Sequence, residues 1–452
     1  MIKKYCIIIF TYIFYTVLCQ DLPSVFFIED RLNILHDFGY TWNKNKILKP
    51  YQWSDFSDNN FFLNDDSLEK SYFNNSEKIW YLNQIYDDVK IYKNRNKEDN
   101  LSVKIFSGYH NSLRSRNQSS HNFYAYFNIY FKENIRAWFN PRITTNKNYL
   151  NNFSGEIQQN ERFGFNSGEV DKSGFGYFSN NLNMWYGRGR KNWGSLALNN
   201  IALSNNSASF DHLSSEFNSR NYSFKYFHGF LESINDGYNR YIVGKGFEYS
   251  NNSNFILGLH EVVIYGGNYR QIDMSYLNPL SSHLEVELNS RDNDTYGSGS
   301  QNAIWQISTD FILSNLFRIS TNFLLDEIAL DDKNINRITN DTTDATNHLG
   351  FQIRLAYSSV LFNNYATTLF FENTTVGSFT LRHERGQNNF TSRNKPLGSN
   401  AGSDCINSRI GLRIITPNKI IINLEAVNNK YGEENINNNL MQYKKIIPCG
   451  IV

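Results

Sequence analysis

The feature that most constrains this chain is an alternation of apolar and polar residues with a period of two, carried in segments of about ten residues. Asn122 to Phe131 is such a segment, Lys132-Glu133-Asn134 follows as a tight turn, and Ile135 to Thr144 is the return strand. Trp305 to Leu313 and Leu316 to Leu325 repeat the device around Ser314-Asn315, and Ser408 to Ile415 and Ile420 to Val427 repeat it around Thr416-Pro417-Asn418-Lys419. Asn251-Asn252-Ser253-Asn254 parts Gly246-Phe247-Glu248-Tyr249 from Phe255-Ile256-Leu257-Gly258-Leu259 in the same way. Between hairpins run longer polar stretches, such as Leu288 to Gln301 and Arg385 to Asp404. Short turns alternating with long loops is the layout of a transmembrane antiparallel β-barrel.

Strand length and composition agree with an all-β barrel over residues 101–452. A strand crosses a bilayer in about 9–11 tilted residues, so roughly 350 residues at about 20 per strand and connection give about 16–18 strands. Aromatic residues make up 16% of the chain, with 35 Phe and 29 Tyr against 4 Met and 7 Pro, which suits girdles at both membrane interfaces. A soluble β-sandwich or β-helix explains the alternation but not the aromatics. Mean hydropathy is −0.52 and no long apolar run follows the N-terminus, which excludes a polytopic helical transporter. A formal net charge of +1 gives no field to draw nucleic acid.

The N-terminus reads as an address. Met1-Ile2-Lys3-Lys4 is basic, Tyr5 to Leu18 is apolar, and Val17 and Cys19 stand where small residues precede a cut before Gln20. Residues 1–19 are thus expected to be a cleaved signal peptide, too short in its apolar part for a comfortable transmembrane anchor. A lipid-modified Cys19 fits poorly after the large Leu18. Export leaves Cys405 and Cys449, which either pair or stay as two thiols; without a CxxC spacing they make no zinc site. Residues 20–100 read as a small helical segment: Phe26 to Leu35 and Glu77 to Tyr86 carry helical spacing, broken between them by Leu48-Lys49-Pro50-Tyr51.

One stretch departs from the rest: Trp185-Tyr186-Gly187-Arg188-Gly189-Arg190-Lys191-Asn192-Trp193-Gly194-Ser195-Leu196, followed by Ala202-Leu203-Ser204-Asn205-Asn206-Ser207. It resembles the Trp-Gly and Leu-Ser-Asn-Asn-Ala pattern of the Wzi-type capsule assembly family of outer-membrane barrels. Gly258 to Gly266 is similar to that family's Gly-Leu-X-Glu and Tyr-Gly strand, Tyr276-Leu277-Asn278-Pro279 to its Tyr-Leu-Asn-Pro turn, and Leu324-Leu325-Asp326-Glu327 to its Asp-Glu strand end. Pro396-Leu397-Gly398, Gly402-Ser403-Asp404 and the helical start with Lys49-Pro50-Tyr51 complete an ordered series over most of the mature chain. Ser207 replaces the usual Ala, Ser195 stands where Pro is common, and the chain ends Pro448-Cys449-Gly450-Ile451-Val452 rather than on an aromatic strand. The resemblance implies an eighteen-stranded barrel in the outer membrane of a Gram-negative bacterium. It further implies a protein that binds or anchors surface polysaccharide and assists capsule assembly.

Trp185, Arg188, Arg190 and Trp193 are the candidate carbohydrate-binding residues. Indole faces cover the apolar C–H patches of a pyranose, and guanidinium forks meet sugar carboxylates. The simpler reading makes the tryptophans girdle residues and pairs the arginines with acids inside the lumen. His260 and Glu261 are adjacent on an alternating strand and so point to opposite faces, which does not make an acid–base pair. Asp326, Glu327, Asp331 and Asp332 lack calcium-loop spacing, and Ser298 and Ser300 have no nearby His. Neither an enzyme, nor a metal, nor a cofactor is expected. The expected partners are surface polysaccharide and outer-membrane lipid, for a monomer. A porin-like diffusion channel shares every compositional feature and is the alternative; an outer-membrane hydrolase has less support.

Overall fold

The computed structural model describes residues 36–38, 47–49, 101–288, 301–326, 348–432, 436 and 450–451, a few loop and turn residues aside. The signal segment, Cys449 and nearly all of the expected helical segment lie outside the described residues. The long strands, numbered in chain order, are β1 (Leu101–Ser115), β2 (Gln118–Phe131), β3 (Ile135–Thr144), β4 (Phe165–Phe178) and β5 (Leu182–Gly189). Then come β6 (Phe210–Asn218), β7 (Tyr222–Phe230), β8 (Tyr238–Ser250), β9 (Phe255–Asn268) and β10 (Gln301–Ser314). The series ends with β11 (Phe317–Asp326), β12 (Leu349–Leu361), β13 (Tyr365–Val376), β14 (Cys405–Ile415) and β15 (Ile421–Tyr431). Each pairs antiparallel with the next, as a hairpin series demands. No register among the described residues joins β15 back to β1; Gly450–Ile451 adds a short ladder to Lys430–Tyr431. Among the described residues there are fifteen long strands, beside the expected 16–18, with Ile157–Arg162 a short addition beside β4.

The alternation decides which side chains face where. In β11 every second residue (Arg318, Ser320, Asn322, Leu324, Asp326) is buried within the wall, while Phe323, between them, is exposed outside. One outward row runs strand to strand as Leu182, Phe217, Phe224, Phe247, Leu259, Ile307, Phe323 and Phe351, each opposite the next. Eight apolar side chains in register form a belt suited to lipid.

The interior is filled by the chain itself. Ile47, Leu48, Trp193, Ile201, Leu203, Leu381, Phe390 and Leu397, from segments between strands or ahead of them, pack on wall residues Ile256, Val262, Ile264, Ile304 and Leu324. Leu48–Lys49 pairs with Asn192–Trp193 as a two-residue ladder, so the segment expected to break a helix is an inner strand. The wall admits it through small residues: a Cβ on Gly258 would stand 2.6 Å from Cγ2 of Ile47, and one on Gly246 2.6 Å from Cδ1 of Leu48. Gly258→Val therefore overpacks the seat at a cost of about 1–3 kcal/mol. Amide exchange at Ile47 and Leu48 is expected to speed up about tenfold or more, with the wall strands still protected. Unchanged exchange at both amides would remove the steric account.

Candidate functional site

Inside the wall every inserted backbone group needs a partner, because water is excluded. Glu248 on β8 supplies two: its Oε2 accepts from the Ile47 amide at 2.6 Å and the Leu48 amide at 3.0 Å. Lys225 on β7 donates to the Leu48 carbonyl and pairs with Glu216 at 2.7 Å. Ahead of these residues, Asp37 sits between two wall arginines. Its Oδ1 accepts from Arg318 at 2.9 Å and from Arg354 at 2.8 Å, and its Oδ2 from Arg354 at 2.7 Å. Arg318 also grips Asp310 with two bonds, at 2.9 and 2.7 Å.

A second cluster of interior bonds holds the segment after β5. Asn200 Nδ2 donates to Asn192 Oδ1 at 2.6 Å and to the Leu196 carbonyl at 2.9 Å, while its Oδ1 accepts from Asn322 on β11 at 3.0 Å. Asn322 also donates to Gln352, whose amide reaches the Asn199 carbonyl at 2.6 Å. Gly194 has φ +146°, and a Cβ there would lie 2.2 Å from Asn200 Oδ1, so the Trp-Gly pair needs its glycine twice over. A Cβ on Gly398 would overlap the Ile201 carbonyl, and the Leu397 carbonyl accepts from the Ser204 amide at 2.8 Å. The sequence motifs thus meet one another as an interlocked interior and its cap.

The four residues singled out from sequence fall into this architecture separately. Trp193 is 1% exposed in the interior core, edge-on to Phe227 at 5.0 Å. Trp185 faces inward, stacked on Phe178 at 5.9 Å with the Lys191 ammonium 4.7 Å from its ring centre. Neither is a girdle residue: the even alternation from Leu182 puts Trp185 on the inner face, and Trp193 lies beyond the strand. Arg190 is buried, forks onto Asp171 of β4 and donates to the Asn152 and Ser207 carbonyls. It is the arginine–acid pair inside the wall that the simpler reading expects. Arg188 points outward, part-exposed, 3.4 Å from Asp211 of β6, a surface pair worth little to stability. The four do not form one exposed surface. His260 and Glu261 take opposite faces, His260 inside and Glu261 outside. Asp326 faces inward and accepts from the Leu381 amide; Ser298, Ser300, Glu327, Asp331 and Asp332 lie outside the described residues. Among the described residues no group of three His, Cys, Asp or Glu gathers to hold a metal ion.

Antiparallel hairpins, an apolar outer belt and a polar-lined wall define the fold of an outer-membrane β-barrel. No family model matches the chain, and no curated protein does. Among solved structures it is similar to Wzi of Escherichia coli, an outer-membrane protein involved in group 1 capsule assembly and a carbohydrate-binding β-barrel. That match has a TM-score of 0.60 at 12% identity, over 92% of this chain and 86% of that one. OmpF of Salmonella typhi matches with a TM-score of 0.37 at 11% identity, over 76% of this chain and 94% of its own. The likeness to Wzi shows a shared fold.

Asp37 gives the interior a pH dependence. Burial alone pushes its carboxyl up, but the charge and hydrogen bonds of Arg354, with Arg318 and Arg413, outweigh that and bring it from 3.8 down to about 2. A carboxyl depressed on folding stabilises the folded state fully above the unfolded value, and this is lost as pH falls from about 4 to about 2. The contribution is about 2 kcal/mol. Asp37→Asn should cost on the order of 3–5 kcal/mol by removing the carboxylate that Arg354 grips with two bonds, while Arg318 keeps Asp310. It should also flatten the wild-type loss of stability between pH 4 and 2 in thermal melts; an equally steep loss in the variant would contradict the assignment.

Proposed function

We propose that this chain is an outer-membrane barrel of a Gram-negative bacterium that anchors surface polysaccharide and assists capsule assembly, without catalysis and without acting as an open channel. The observation that carries the reading is the filled interior: apolar residues of inserted segments meet the wall core, with buried polar bonds on either side. Solutes diffusing through a porin need a wet lumen, whereas a holder for a polymer needs only a rigid barrel and an outer face. The fold shared with a carbohydrate-binding barrel supports the same reading.

Of the four sequence candidates, Arg188 is the one whose side chain is part-exposed, which supports it as the contact for an acidic polymer; Arg190, Trp185 and Trp193 are buried and support the fold. Weak contacts suffice for a long chain, because each repeat unit offers another at high effective concentration.

Cells carrying the protein should retain surface polysaccharide that deletion strains shed into the medium, with total synthesis unchanged. Arg188→Ala should weaken retention of an acidic polymer more at low than at high salt, since exposed charge is screened over about 8 Å at physiological ionic strength. Arg190→Ala should reduce barrel assembly instead. Equal retention by deletion and parent strains would refute the anchoring role, and an assembled Arg188→Ala variant that retains like the parent would remove that residue from it.

A further inference from the structure

The belt of outward apolar residues is interrupted on one side by charge. Two residues along the strands from Phe247, Leu259 and Ile307 stand Lys245, Glu261 and Trp305, again opposite one another in register. That is a step of about 7 Å along a strand, so an ammonium and a carboxylate lie on the outer wall right beside the lipid-facing row. Bare there, both would meet hydrocarbon or its edge, the most costly place for charge on a barrel.

They are not bare. The chain after β9 folds back over the outside of the wall, through a turn at Met274–Tyr276 and the short helix α1 (His283–Leu288). Glu261 Oε1 accepts from the His283 amide at 3.0 Å, from Ser282 Oγ at 3.2 Å and from Trp305 Nε1 at 3.0 Å. Lys245 donates to the Ser281 carbonyl and lies 3.8 Å from Glu261. Above the pair, Tyr276 stacks on the outward Tyr265 at 4.4 Å and Val286 is fully buried, in a second apolar core outside the barrel. Arg270 lies 4.6 Å from the Tyr265 ring centre and pairs with Asp273 of the same loop.

The loop also leaves large apolar side chains open: Leu280 is 83% and Met274 76% exposed, with Tyr269 and Ile272 exposed as well, interspersed with the exposed polar Gln271, Asn278 and Ser282. A loop in water that had buried its aromatic residues against the wall would present polar side chains outward. Here Lys245, Glu261 and the Tyr276 ring are covered between loop and wall, while four large apolar side chains stay open beside the polar Gln271, Asn278 and Ser282, on the same outer side of the wall as Phe247, Leu259 and Ile307.

We infer that residues 269–288 form a cuff seated in the outer leaflet of the membrane, with Tyr269, Ile272, Met274 and Leu280 in contact with lipid and Lys245 and Glu261 shielded beneath it. The barrel thereby carries a charged outer-wall patch at belt height without exposing it to hydrocarbon. The cuff binds lipid; it does not bind the polysaccharide.

Spin labels placed by Met274→Cys and Leu280→Cys, in full chains with Cys405→Ser and Cys449→Ser and reconstituted in phospholipid bilayers, test this. Oxygen, which concentrates in lipid, should relax both labels more than a water-soluble nickel chelate does. A label at Glu156→Cys, on an exposed loop residue, should show the reverse. Chelate access at 274 and 280 equal to that at 156 would place the loop in water and overturn the inference. Exclusion of both reagents at high and low protein-to-lipid ratio would mean that protein covers the loop, which overturns it equally. Two independent positions, each checked for heat-modifiable mobility, guard against a variant that fails to fold.

Discussion

Glu248 and Lys225 bring opposite charges to the inside of the wall and apply them to one short stretch of backbone, Glu248 to the Ile47 and Leu48 amides and Lys225 to the Leu48 carbonyl. An isolated two-residue ladder has no stability of its own; its outer edge would leave donors and acceptors unpaired in a space that holds no bulk water. Charged hydrogen bonds are the strongest means of satisfying them. Given that seat, Trp193 can pack beside Leu48, the Asn200 amide can tie the next turn to Asn322, and Leu397 can close over Ile201. The filled interior follows from a wall that presents charges where a strand enters it.

The same constraint operates with opposite sign on the outside. Lipid offers no partner for a backbone or a charge, so the wall shows it an apolar row, and where Lys245 and Glu261 break that row the chain covers them with its own loop. One barrel wall therefore carries buried charge on both faces, each paired by a segment that the hairpin pattern alone does not require. Arg190 with Asp171, and Asp37 with Arg318 and Arg354, extend this to the two ends of the interior. Replacing such pairs with apolar residues need not weaken a protein, but removing one partner leaves a charge without compensation. They are best understood as locators that admit one seating of the inserted segments.

The wall was legible in the sequence because period-two alternation acts residue by residue, and a slip of one would expose Phe323 inside and Asn322 to lipid. The opposite orientations of His260 and Glu261 follow from the same rule. What lies within the wall was not legible, since contacts such as Glu248 with Ile47 join residues about two hundred positions apart and have no local signature. Trp185 and Trp193 show the cost: aromatic composition argued for interface girdles, yet Trp185 falls on an inward position and Trp193 follows the strand into the interior. Glu261 likewise carried no hint of its covering loop. The signal that was present is the glycine in Trp193-Gly194, whose positive φ marks a tight turn packed against Asn200.

The central claim, that the chain's own segments close the barrel, is tested most directly by conductance. Purified wild-type protein inserted in planar bilayers should give no steady ohmic steps, because the interior between Asp37 and Leu397 is occupied by packed side chains. Large, steady steps that scale linearly with voltage would show a continuous aqueous path and contradict the account.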